Sequence, residues 1–169
     1  MLKDRLSHKR IILGSGSPRR HQLLKGLDLD FEIQTRDTDE SWPSHLSEGG
    51  IPEHIALMKS IAFGDLDEDT ILITADTIVW MEGQTINKPQ DEADALRMVK
   101  NLSAKTHYVY TGVCIRTAGS NTVFHDETAV EFRELSDEMV AYYVENYSPY
   151  DKAGGYGAQD WIGYVGIES

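Results

Sequence analysis

The sequence predicts an α/β domain on a mixed β-sheet, and three observations carry that expectation. The first half of the chain alternates short apolar runs with stretches of helical periodicity, the pattern of β-α units that lay strands side by side. The second half holds two long runs rich in Val, Thr, Tyr and Phe, Thr106 to Thr117 and Thr122 to Leu135. Ala118-Gly119-Ser120-Asn121 joins them, which is hairpin chemistry and implies antiparallel neighbours. With 169 residues, 40 % of them hydrophobic, the chain has enough apolar material to close a single core, and residues 1–169 read as one domain.

Each element has a local cause. Lys9 to Ser15 is a short apolar strand, after which Ser17 and Pro18 supply an N-cap and a first-turn proline. Leu23, Leu24 and Leu27 would line one face of the helix that follows, and Gly26 and Asp28 end it. Phe31 to Thr35 reads as a second strand and Pro52 to Phe63 as a helix with Ile55, Met58 and Ala62 on one face. The tight run Thr70 to Ala75 is a buried strand. Glu82-Gly83 is a turn signal within TIVWMEGQTI, so a small hairpin precedes the Asp91 to Leu102 helix, whose Leu96, Val99 and Leu102 share a face. Ser136 caps a last helix that would bury Met139, Val140, Tyr143, Val144 and Tyr147 before Pro149 stops it.

The balance of 16 basic and 28 acidic residues gives a formal charge of −12, which repels nucleic acid and anionic membranes at long range. A small anion is still admissible, because a few cations gathered in a recess reverse the field locally. Cys114 is the only cysteine, so an intrachain disulfide, a thiolate metal cluster and a Cys-x-x-Cys redox pair are all excluded. A packed thiol, a start without the apolar core of a signal peptide and the lack of any 18-residue apolar run together predict a cytoplasmic protein.

Three groups of residues carry chemistry. Gly14-Ser15-Gly16-Ser17-Pro18-Arg19-Arg20 runs from a strand into a helix start, where unpaired N–H groups and the helix dipole favour phosphate, and Arg19 and Arg20 add forked donors. A capped helix with solvated arginines fits the same spacing, and no Gly-Lys-Ser/Thr makes it a Walker A loop. Asp76-Thr77 stands directly after the strand ending at Ala75, where open α/β sheets place ligand groups, although an aspartate there can equally cap a turn. Glu40, Lys59, Lys88 and the glycine-rich Asp151 to Gln159 segment are individually ordinary surface features. Asp37, Asp39 and Glu40 suit a metal or a solvated loop, and the six histidines lack ligand spacing.

In combination these segments resemble the Maf family of nucleotide pyrophosphatases, also called septum formation inhibitor-like proteins. The resemblance runs through LGSGSPRRHQLLKGL (13–27), DTDE (37–40), ALMKS (56–60), the stretch 73–113 with its ADT, KP-DE and THxVxTGV elements, and PYDKAGGYGAQ (149–159). It implies an elongated α/β fold similar to inosine triphosphate pyrophosphatases, in two lobes with a central cleft. It also implies hydrolysis of a nucleoside triphosphate to the monophosphate and pyrophosphate with a divalent cation, usually Mg²⁺.

By that resemblance Asp76 accepts the proton of the attacking water, Lys59 and Lys88 hold phosphates, and Glu40 supports metal or water, with Asp76 and Glu40 as the metal ligands. Ser15, Ser17, Arg19, Arg20, Thr77 and Gln159 fall at substrate-binding positions. The set Arg19, Thr77 and Gln159 resembles the dTTP/UTP branch, whereas the 7-methyl-GTP branch carries Trp, Gln and Glu there. Two alternatives stand beside this: a house-cleaning pyrophosphatase for modified nucleotides, and a nucleotide-binding regulator of cell division with little catalysis. The chain departs from the family pattern at ALMKS for AREKA, at Asn87 and at Gly155. Relatives continue past Ser169 with a segment resembling GSYxNVxGLP and a final helix, so a C-terminal segment is expected to be missing. The resemblance further implies a homodimer.

Overall fold

The computed structural model describes residues 1–169. After a short helix, α1 (Leu2–Leu6), strand β1 (Arg10–Leu13) buries Ile11, Ile12 and Leu13, and the chain turns into helix α2 (Pro18–Lys25). The Ser17 cap position and the N1 proline are as the sequence dictates. The apolar face is not: α2 buries none of its residues, Leu23 is 75 % exposed and Leu27 beyond it is open to solvent as well. Strand β2 (Glu32–Ile33) pairs parallel with β1, and helix α3 (Gly50–Ile61) buries Ile51, Ile55 and Ala56, while Met58 is half-buried and Ala62 exposed.

Strand β3 (Thr70–Met81) is twelve residues long and pairs parallel with β1 from Thr70 to Ile73. It does not stop at Ala75, because Thr77, Ile78, Val79 and Trp80 are β-branched or aromatic and keep the backbone extended through Asp76. At its far end Glu82 and Gly83 both take positive φ, 53° and 81°, the turn geometry that matches the twist of a two-residue hairpin into β4 (Gln84–Ile86). Helix α4 (Glu92–Leu102) opens on Asp91, whose side chain accepts from the Asp94 N–H at 2.8 Å. Strands β5 (Thr106–Arg116) and β6 (Asn121–Glu131) are neighbours joined by the expected turn, closed by a bond from Thr117 N–H to Ser120 O. The Ser136 hydroxyl caps α5 (Asp137–Tyr147), and a last helix, α6 (Trp161–Gly166), has no counterpart in the sequence reading.

The sheet order is β2-β1-β3-β5-β6 with β4 on β3, parallel in β1/β2 and β1/β3 and antiparallel in β3/β4, which makes it mixed as expected. The chain divides into two compact units, residues 1–76 with 111–126 and residues 77–110 with 127–169. In the first, the Thr74 hydroxyl donates to Ala56 O at 2.6 Å and ties β3 to α3. Gly112 lies so close to α3 that a Cβ there would sit 2.2 Å from the Pro52 carbonyl carbon. Cys114, on β5, is fully buried. In the second, Val99 and Leu102 of α4 pack with Val140, Tyr143 and Val144 of α5, each fully buried aliphatic contributing roughly 1.5–3 kcal/mol. Tyr147 falls outside that face and is exposed. No helix is long and apolar enough to cross a membrane.

Candidate functional site

The β1–α2 turn is shaped by what it must approach. A Cβ on Gly14 would stand 2.7 Å from Thr74 Cγ2 and 3.1 Å from the Phe63 ring, so only glycine lets β1 leave the sheet at this point. Ser15 is buried, and its hydroxyl accepts from the Ser17 N–H and from Arg20 Nη1, both at 3.3 Å. Arg20 Nη1 also donates to Ala75 O at 2.8 Å, which lays its guanidinium against the residue before Asp76. Burial pulls the Arg20 pKa below its ordinary value, against the nearby Asp76 charge. His21 Nε2 lies 2.7 Å from Ser15 O and holds the turn from its other side.

Lys59, on the last turn of α3, joins the two acidic candidates. Its ammonium is 2.7 Å from Asp76 Oδ1 and 2.7 Å from Glu40 Oε1, and both the Lys59 and Asp76 side chains are largely enclosed. Burial raises the Asp76 carboxyl above its ordinary value by more than the Lys59 charge lowers it, and Glu40 adds to the rise. Such a carboxyl is a stronger base than a free aspartate.

Gly14, Ser15, Arg20, Arg36, Glu40, Lys59 and Ala75 line one recess of about 170 Å³ in the first unit, and Asp76 joins them through its bond to Lys59. A larger hollow of about 670 Å³ opens in the second unit beside β4 and α4. Its charges are already satisfied: Arg97 pairs with Asp94, and Lys100 with Asp137 and the Leu135 carbonyl. Of the two, the smaller recess gathers cations, the Glu40 carboxylate and a hydroxyl around open space.

The structure thus brings together Ser15, Ser17, Arg20, Glu40, Lys59 and Asp76, all in the first unit. Arg19 is exposed on the first turn of α2. Asp76 and Thr77 lie inside β3 and not past its end, which corrects the strand-end expectation for the pair. Thr77, Lys88 and Gln159 belong to the second unit, where Lys88 is exposed between β4 and α4 and Gln159 is exposed in the turn before α6. Asp39 caps its own loop, accepting from the Ser41 N–H and hydroxyl, which lowers its pKa, and it takes no part in the recess. Arg36, Phe63 and His21 are not singled out as site residues by the sequence: Arg36 lies in no motif, Phe63 reads only as a helix end, and His21 only as part of the 13–27 segment.

No three His, Cys, Asp or Glu side chains cluster as a metal cage. The Glu40 and Asp76 carboxylates nonetheless fit a hard cation of the Mg²⁺ type, which takes one or two carboxylates and fills its shell with water and phosphate oxygens. Their convergence on the Lys59 ammonium shows that the pair already draws positive charge.

The chain is similar to known proteins along nearly its whole length. The family described as Maf-like protein matches residues 10–169. A dTTP/UTP pyrophosphatase from Flavobacterium johnsoniae is 49 % identical over 99 % of this chain and 87 % of its own length. One of the same name from Parabacteroides distasonis is 47 % identical over 98 % and 87 %. Among solved structures, the Ham1 protein of Staphylococcus aureus superposes with a TM-score of 0.54 at 13 % identity, over 73 % of this chain and 72 % of its own, a likeness of fold. With the family matched from β1 to the last residue and near-half identity over almost the whole chain, the protein belongs to the Maf-like family.

Proposed function

We propose that this chain is a nucleoside triphosphate pyrophosphatase that hydrolyses dTTP and UTP to the nucleoside monophosphate and pyrophosphate. The observation that carries the reading is the Glu40–Lys59–Asp76 array, whose Glu40 and Lys59 share a recess with the Ser15–Arg20 turn. The substrate class is supported by the relatives named dTTP/UTP pyrophosphatase. By the family resemblance, Arg19, Thr77 and Gln159 are the positions associated with base choice, and an arginine, a hydroxyl and an amide are the kinds of group that a pyrimidine edge of two carbonyls and one N–H requires.

In this mechanism Asp76 takes a proton from the water that attacks the α-phosphorus, the bond from that phosphorus to the bridging oxygen breaks, and pyrophosphate leaves. Arg20 and Lys59 stabilise negative charge as it moves toward the leaving group, and Ser15 with the α2 N-terminus orients phosphate oxygens. Lys88 is assigned a second phosphate contact on the family resemblance. A divalent cation held by Glu40 and Asp76 would neutralise phosphate charge and polarise the reacting phosphoryl group. The same reading places the protein in the cytoplasm, where a lone buried Cys114 stays reduced, and, by resemblance, as a homodimer. A charge of −12 argues against nucleic acid or anionic membrane as its partner.

The test is a panel of nucleoside triphosphates with Mg²⁺ and product identification by mass. Monophosphate and pyrophosphate from dTTP and UTP, ahead of purine triphosphates, are expected. Release of orthophosphate and nucleoside diphosphate would refute the reaction.

A further inference from the structure

Arg36 has no place in the reading so far, yet it stands on the wall of the same recess as Ser15, Arg20 and Lys59. Its guanidinium carbon lies 4.8 Å from the centroid of the Phe63 ring, and that ring also lines the recess. Nη1 donates to Thr35 O at 2.9 Å and Nη2 to Gln34 Oε1 at 3.2 Å. Both acceptors are neutral and belong to its own loop, so the head group is held in place with its positive charge uncompensated. Arg10 is the contrast, with its fork closed on Glu32 at 2.8 and 2.7 Å. Arg36 is exposed on the recess wall beside Arg20 and Lys59, with no carboxylate in ion-pairing distance.

We infer that Arg36 is a further phosphate-binding residue, which donates to oxygens of the triphosphate from the side of the recess formed by Thr35 and Phe63. The inference rests on the reading of that recess as the phosphate site. A guanidinium carries five N–H donors, and the two internal bonds leave the remainder for a ligand. Its stacking on Phe63 settles the side chain before substrate arrives, so little rotamer freedom is lost on binding. Thr35 and Phe63 come from segments far apart in sequence, and only the fold sets Arg36 beside Arg20.

The experiment is calorimetric titration of inorganic pyrophosphate with Mg²⁺ into the wild-type chain and Arg36→Gln, together with KM and kcat for dTTP. Loss of charge-assisted bonds is expected to weaken pyrophosphate binding about tenfold and raise KM by a similar factor, with kcat within about threefold and the melting temperature unchanged. Arg36→Lys, which keeps the charge without the fork, should recover part of the affinity, and it carries the test should Arg36→Gln fail to fold. Equal pyrophosphate affinity in wild type and variants, a wild type that binds no pyrophosphate, or a fall in melting temperature with KM untouched would overturn the inference. A wild type that binds pyrophosphate through Arg36 but releases none from dTTP would instead remove the hydrolase reading and leave this one standing.

Discussion

His107 offers a prediction whose size follows from the structure. The ring is completely buried in the second unit, packed against Phe132 and Tyr156; its Nε2 is 2.7 Å from the Tyr156 hydroxyl and its Nδ1 has no partner. Burial disfavours the imidazolium and pulls its pKa from 6.5 to about 4, and it pushes the Tyr156 phenol well above its ordinary range. The unfolded chain therefore takes up a proton at this residue near pH 6.5, while the folded chain resists until about 4. Stability from the neutral ring is fully present above the unfolded value and is lost as pH falls through that window, at about 1.4 kcal/mol per pH unit. The loss totals about 3 kcal/mol and ends once both states are protonated. Urea unfolding of wild type and His107→Gln, followed by circular dichroism between about pH 8 and pH 4, isolates this term, because other acid-sensitive groups cancel in the difference. The variant should be the weaker protein at neutral pH and should lose most of its disadvantage at the acid end. A stability difference that stays flat with pH would refute the argument that His107 is held neutral by burial.

Asp76→Asn should lower kcat by roughly 10²–10⁴-fold as loss of a general base requires, with binding of dTTP retained in equilibrium dialysis; an undiminished rate rejects the role. Gly14→Ala should cost about 1–3 kcal/mol in chemical denaturation, since its Cβ would press within 2.7 Å of Thr74 Cγ2. Gln159→Glu should lower kcat/KM for UTP relative to 7-methyl-GTP in a competition assay, and an unchanged ratio removes residue 159 from base choice.

Local chemistry was legible where a residue's role is set by its neighbours in sequence. Ser17-Pro18, Asp91, Glu82-Gly83 and Ser136 open or turn the elements they were expected to. The reading failed where tertiary packing decides. Leu23, Leu24 and Leu27 have helical spacing, yet only Leu24 is partly covered while Leu23 and Leu27 stay exposed, and periodicity alone cannot supply a partner surface. Asp76 interrupts an apolar run and so reads as a strand end, but Lys59, 17 residues away in sequence, takes up its charge and lets the strand continue. The pairing of His107 with Tyr156 spans 49 residues, and the setting of Arg36 on Phe63 depends on where β2 and α3 finally lie. Each is a contact between segments that no window of sequence contains. The family motifs nominated candidate groups without showing which of them touch.

The interior thiol of Cys114 has a practical consequence. With its strand closed, the sulfur meets neither alkylating reagent nor oxidant, so a cysteine introduced anywhere on the surface would be the sole fast-reacting handle for a fluorophore or spin label. Slow alkylation of the wild-type chain in native buffer then reports how often β5 opens, which makes this one atom a built-in clock for the local unfolding of the central sheet.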